Sequence, residues 1–212
     1  MRTLRAVLIA LVLGPSIGAA QGRGTLFIVG GGPQPESLVQ EFVELAGGSE
    51  ARIIVFAMAS VNGERGGAEK ALQLESFGAD ASNLWITHAQ ASTDSIARLL
   101  DGATGIWFGG GDQNRLAAAL RGTATERAIH ARYAAGAVIG GTSAGAAVMS
   151  ALMITGEELH PGALRPDSTL AWGTIARGNI EVDSGFALIG NAVIDQHFLR
   201  RRRHNRLVSL VL

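Results

Sequence analysis

The sequence predicts a three-layer, doubly wound α/β domain built on a mostly parallel sheet. Three observations carry this. From residue 24 onward, short runs apolar on both faces alternate with amphipathic helical patterns, as expected of strands buried beneath helices on two sides. Several runs end in glycines and small polar residues, "VGGGP", "MAS", "FGGGDQ" and "GGTSAG", and the carboxyl ends of parallel strands are where such sheets bind ligands. Apolar residues make up 47% and charged residues 17% of the 212 residues, with 29 glycines, which suits one compact domain with tight turns.

The elements follow in order. "MRTLRAVLIALVLGPSIGAAQG" pairs Arg2 and Arg5 with an apolar stretch too short for a bilayer span and small residues near Ala20. It reads as a signal peptide over 1–20, giving a secreted or periplasmic domain over 21–212 with no membrane attachment after cleavage. "TLFIVG" is the first strand, and "PESLVQEFVELA" a helix with Leu38, Phe42 and Leu45 on one face. "RIIVFAMA", "NLWIT", "TGIWFGG" and "AVIGG" are further strands. "EKALQLESF", "TDSIARLLD", "QNRLAAALRG" and "TERAIHARYAAG" are the helices between them. From Leu152 to Phe186 the periodicity weakens around Pro161 and Pro166, predicting a loop-rich excursion. A β-type run returns in "ALIGNAVIDQHF", and "NRLVSLVL" reads as a closing helix.

Lys and Arg total 18, as do Asp and Glu, so net charge supplies no reason to expect nucleic acid as a partner. There is no cysteine, hence no disulfide framework, thiolate metal site or thiol nucleophile. Covalent chemistry falls to serine or threonine.

Gly141-Thr142-Ser143-Ala144-Gly145 satisfies G-x-S-x-G, a turn that presents a serine above a sheet. The pattern alone carries little, but here a buried strand precedes it and a helix-favouring "AAVMSALM" follows, so free N–H groups of a helix start point at the serine. The N–H groups of Ala144 and Gly111, the latter in "FGGGDQ", are the expected oxyanion hole. A phosphate cradle is the rival reading of these glycines, but no Walker or G-x-G-x-x-G spacing occurs.

A serine needs a base. Among His88, His130, His160, His197 and His204, His197 is the best placed, ending the run "VIDQHF" on the same rim. No histidine spacing suits zinc, so no metal or organic cofactor is expected. Arg200, Arg201, Arg202, Arg203 and Arg206 follow. They read equally as a solvated surface and as guanidinium forks for a substrate carboxylate.

The turn "FGGGDQ", the motif "GTSAGAAVMS" and the segment "DQHFLRRRRHNRL" together resemble cyanophycinases and the related aspartyl dipeptidases, serine peptidases on a class I glutamine-amidotransferase-like fold. The resemblance runs from about Gly24 to the last residue. It implies Ser143 as nucleophile and His197 as base, with Gln113, Asp195, Gln196, Arg201, Arg203 and Arg206 as substrate-binding positions. It also implies cyanophycin, a poly-aspartate carrying arginine on each β-carboxyl, as substrate and β-Asp-Arg dipeptides as product. A homodimer is the candidate assembly. Aspartyl or isoaspartyl dipeptidase action on short peptides is the alternative, because "VGGGPQPE" lacks the Gly-Gly-Ala-Glu-Asp turn of typical cyanophycinases. A non-catalytic binding protein of the same fold is a third. The family's triad acid lies in a Gly-Ile-Asp-Glu motif beyond the arginines, which is not reached by Leu212. The sequence therefore predicts a domain whose C-terminal part is missing and whose activity is low.

Overall fold

Leu26–Val29 (β1), Arg52–Phe56 (β2), Asp80–Asn83 (β3), Gly105–Phe108 (β4) and Val138–Thr142 (β5) form one sheet in the order β1-β5-β4-β2-β3, and every pairing is parallel. These coordinates come from a computed structural model, which describes residues 24–158, 175–201 and 203–212. The proposed leader, His160, Pro161, Pro166 and Arg202 lie outside the described residues.

Alternation along each strand sends side chains to two separate cores. Ile53, Val55, Trp107 and Val138 point to one face, where they meet Val39, Phe42 and Val43 of α1 (Glu36–Leu45) and Ala71 and Leu74 of α2 (Gly63–Glu75). Phe42 meets the edge of Trp107 with ring centroids 4.9 Å apart, a favoured aromatic geometry. Ile54, Phe56, Ile106, Phe108 and Ile139 point to the other face. That face is covered by α3 (His88–Ala91), α4 (Asp94–Ala97), α5 (Gln113–Leu120), α6 (Ala124–Ala134) and α7 (Ala144–Ala147). The three layers expected from the two-sided apolar runs are thus present. After β1 the chain enters α1 on one face, and after β5 it enters α7 on the other. Neighbouring strands whose helices leave to opposite faces open a crevice at their carboxyl ends.

Three expectations need correction. "NLWIT" is not the third strand. β3 lies earlier, at Asp80–Asn83, as an edge strand paired only with β2, and its polar residues hid it. Leu84 and Ile86 instead pack into the core from the loop that follows. The excursion after Leu152 holds an antiparallel hairpin, β6 (Leu152–Glu158) with β7 (Ile180–Ser184). β7 is buried only at its first residue, so it has no apolar run to announce it. The run "ALIGNAVIDQHF" forms no strand; its one ladder contact is a bridge between Ser150 and Ile189. The closing helix is α8 (His204–Val211).

Candidate active site

Ser143 stands where β5 ends and α7 begins, with φ of 53° and ψ of −115°. A positive φ on a non-glycine residue is strained, and such strain persists only where the surroundings impose it. Here the Ser143 N–H donates to the Val29 carbonyl at 3.0 Å, while its own carbonyl accepts from Ala146 and Ala147 at 3.0 Å each. The flanking glycines allow the turn to close: a side chain on Gly141 would meet the Gly145 carbonyl, and one on Gly145 the Phe108 carbonyl.

His197 arrives from the irregular segment after β7, not from a strand end. Its φ is 51°, and its N–H donates to the Gly30 carbonyl at 2.7 Å, which ties the segment to the glycine turn after β1. Nε2 lies 3.0 Å from Ser143 Oγ. To accept the serine proton, Nε2 must be unprotonated and Nδ1 must carry the ring hydrogen. Burial, then the positive charges of Arg201, Arg203, Arg200 and Arg206, hold the imidazole pKa below its usual value, which keeps the ring neutral near neutral pH. Among the described residues no carboxylate contacts the ring. Asp183 is taken up by Arg121 at 2.9 Å.

The other described histidines stand elsewhere. His88 Nδ1 bonds the Ala118 carbonyl at 3.0 Å, His130 lies on α6, and His204 packs edge-on to Phe198 with centroids 4.5 Å apart.

On the oxyanion side, Ala144 is the first residue of α7 and is fully buried. Its N–H finds no acceptor among the described residues. In "FGGGDQ", Gly109 N–H is used by Phe56 and Asp112 N–H by Ala59. The intervening Gly110 and Gly111 N–H groups have no acceptor among the described residues. Gly110 packs directly on the serine, since a Cβ there would lie 3.4 Å from Ser143 Cβ. Gly111, at φ of 144°, presses on the Ala59 carbonyl. Asp112 caps α5 by accepting from Asn114 N–H at 2.8 Å.

The positions expected to bind substrate divide into two groups. Gln113 is buried, and its amide donates to the Ile154 carbonyl at 2.7 Å and to the Thr155 carbonyl, strapping β6 to α5. Asp195 and Arg206 form a buried bidentate pair, with Arg206 Nε 3.0 Å from Asp195 Oδ2. Arg203 Nη1 donates to the Gln196 carbonyl at 2.8 Å and to Gln196 Oε1 at 2.6 Å. A guanidinium only donates, so it fixes which end of the Gln196 amide faces inward. That same oxygen lies 3.3 Å from Ser143 Oγ. Arg201 is exposed and has no side-chain partner among the described residues, so it remains open to a ligand.

Sequence reasoning overlooked Gly31 as a site residue. At φ of 108°, a Cβ on it would lie 2.5 Å from both Cε1 and Nε2 of His197, so the bare backbone forms a wall of the imidazole slot. The signal was the glycine triplet at the end of β1. Among the described residues no three His, Asp or Glu side chains gather as a metal site, and no helix is long and apolar enough to cross a membrane.

Residues 26–177 match Peptidase family S51. The chain is 29% identical over 198 residues to the cyanophycinase of Trichormus variabilis, covering 90% of this chain and 62% of that protein. It is 30% identical over 193 residues to the cyanophycinase of Geminocystis herdmanii, covering 88% and 66%. It thus spans about 62% of the length of the Trichormus relative. Among solved structures, a peptidase from an acI-B1 Actinobacterium matches with a TM-score of 0.64 at 22% identity, covering 87% of this chain and 71% of that one. A putative peptidase E protein from Listeria monocytogenes matches at 0.55 and 19%, covering 87% and 86%. Both likenesses speak for the fold.

Proposed function

Because this chain belongs to peptidase family S51, we propose that it is a serine hydrolase releasing β-Asp-Arg dipeptides from cyanophycin, with Ser143 as nucleophile and His197 as base. The observation that carries the reading is the 3.0 Å approach of His197 Nε2 to Ser143 Oγ on a strained strand-to-helix turn. Ser143 Oγ attacks the scissile carbonyl carbon as its proton passes to Nε2. The N–H groups of Ala144 and of the Gly110–Gly111 turn receive the oxyanion. The leaving amine takes the proton from Nε2, and water, activated by the same imidazole, then hydrolyses the acyl-enzyme. The exposed Arg201 guanidinium supports recognition of an acidic substrate. The charged and apolar start of the sequence supports action outside the cytoplasm.

The chemistry is the same for a dipeptidase acting on short aspartyl peptides, and one experiment separates the two. The protein is incubated with cyanophycin granules and, separately, with aspartyl dipeptides, and products are identified by mass spectrometry. A fluorophosphonate probe reports the nucleophile in parallel. β-Asp-Arg release and probe labelling are expected, and both should vanish in Ser143→Ala. Labelling that persists in Ser143→Ala would overturn the assignment, and cleavage confined to short peptides would reject the polymer as substrate.

A further inference from the structure

Ser143 Oγ has one hydrogen to give and two acceptors within reach of it. His197 Nε2 lies at 3.0 Å and Gln196 Oε1 at 3.3 Å. If the hydroxyl gave its hydrogen to Nε2, its lone pairs would face those of the Gln196 oxygen with no hydrogen between them. One of the two contacts would then carry no bond. The other arrangement satisfies both: Nε2 bears the ring hydrogen and donates it to Oγ, and Oγ donates to Oε1.

The surroundings favour this second arrangement. Which ring nitrogen bears the hydrogen follows from the bonds that each nitrogen makes. Nε2 meets the serine oxygen, whereas Nδ1 has no acceptor among the described residues, so nothing draws the hydrogen to Nδ1. The Gln196 oxygen is in turn locked in place. Its side chain is buried, with the residue 5% exposed, and Arg203 Nη1 donates to Oε1 at 2.6 Å and to the Gln196 carbonyl at 2.8 Å. The amide cannot turn its NH₂ toward the serine while that guanidinium, which only donates, stands against it. A carbonyl oxygen has two lone pairs and can serve Arg203 and Ser143 together. Donation from a cation polarises the carbonyl and strengthens its hold on the second donor.

We propose that Gln196 is a positioning residue that keeps Ser143 idle: in the resting site the hydroxyl hydrogen is parked on Gln196 Oε1, and His197 is the Nε2–H tautomer. The inference rests on Ser143 and His197 being the reacting pair. Reaction is then preceded by a rearrangement in which the Gln196 oxygen leaves the hydroxyl and the ring hydrogen passes through solvent from Nε2 to Nδ1. Oγ–H turns to the freed Nε2, and the number of protons in the site is unchanged. A substrate that displaces the amide arms the serine, and an empty site presents an unactivated hydroxyl.

The test reads the tautomer directly. The full chain is labelled with nitrogen-15, and the ring nitrogen shifts of His197, assigned by their loss in His197→Gln, are measured at about pH 8, well above the ordinary histidine pKa. The Nε2–H form is expected in the unaltered chain; the Nδ1–H form there overturns the proposal without recourse to a variant at Gln196. Gln196→Met removes the acceptor and keeps the bulk. Its His197 ring should pass to the Nδ1–H form, and fluorophosphonate labelling should rise about fivefold, the worth of one neutral hydrogen bond. Gln196→Glu retains an acceptor, so it should keep Nε2 protonated and label no faster than the unaltered chain. An unchanged tautomer or slower labelling in Gln196→Met, or faster labelling in Gln196→Glu, overturns the parking role, because a group that merely braced the site would slow the reaction when removed and would leave the tautomer alone. A chain that shows both tautomers as expected yet never labels keeps the hydrogen-bond arrangement and loses the hydrolase reading.

Discussion

If the proposed hydrolase reading holds, replacing Gly31 with alanine should cost the protein its serine reactivity while leaving it folded. The new methyl carbon would stand 2.5 Å from Cε1 and Nε2 of His197, whereas ordinary contacts begin at 3.4 Å, so ring and methyl must part by about 0.9 Å. The imidazole has little choice of direction, because its own backbone is pinned by the 2.7 Å bond to the Gly30 carbonyl. If the ring takes up the displacement, its 3.0 Å approach to Ser143 stretches to about 3.9 Å, beyond hydrogen-bond reach. Misplacing a reacting group by about 1 Å costs on the order of 10²-fold in rate. Backbone strain accompanies the substitution, since φ is 108° at Gly31, but the neighbouring position supplies a control. Gly32 has φ of 98° and nothing within 4 Å of its would-be Cβ, so Gly32→Ala carries similar strain, about 1–3 kcal/mol, and no collision. The assay is the rate of fluorophosphonate labelling, with melting temperature measured on each variant. Both variants should melt a few degrees early, and only Gly31→Ala should label about 10²-fold more slowly. Equal labelling rates in the two would refute the argument that Gly31 sets the imidazole position.

Two further outcomes follow from the arginines. Asp195→Ala strands the Arg206 guanidinium in a site where the paired side chains are 3% and 5% exposed, and should lower stability in urea by about 3–5 kcal/mol; a loss under about 1 kcal/mol would show that the pair does not hold the fold. Arg201→Gln removes the guanidinium that acts most strongly on His197 among the nearby positive charges. The imidazolium then forms more readily, its pKa rises toward the usual value, and the acid limb of kcat/KM moves to higher pH. The displacement should shrink in high salt, as screening predicts. A limb that stays in place at low salt, or moves down, rejects that account of the imidazole.

The sheet was legible wherever its strands are buried on both faces. Ile53 to Phe56 and Ile106 to Phe108 serve two cores at once, and no surface element produces such a run. β3 and the β6–β7 hairpin escaped notice because an edge or a half-solvated pair needs no continuous apolar stretch. Ser143 and His197 stood out by motif and by elimination, and the fold brings their side chains together. The arginines could not be sorted in advance. Whether a guanidinium meets Asp195, Gln196 or solvent depends on how α8 docks, and "RRRRHNR" reads the same in each case. Lys70 in "GGAEKALQLE" looks like any solvent-facing lysine of an amphipathic helix. Its burial is created by Trp107, 37 positions along the chain in β4, and contacts of that range leave no local trace.

The dyad joins two parts of the molecule with unequal resistance to opening. Ser143 is delivered by β5, whose residues are all buried and which is bonded on both sides. Residues 195–197 belong to no ladder and are held by the Gly30 carbonyl, Arg203 and Arg206. Protein regions open locally with free energies that track how many buried contacts they make. The histidine segment therefore releases at a lower free energy than the strand that carries the serine. Under the proposed function, reactivity of the hydroxyl and integrity of the sheet are then separate properties, and warming or mild denaturant should silence the first while the second persists.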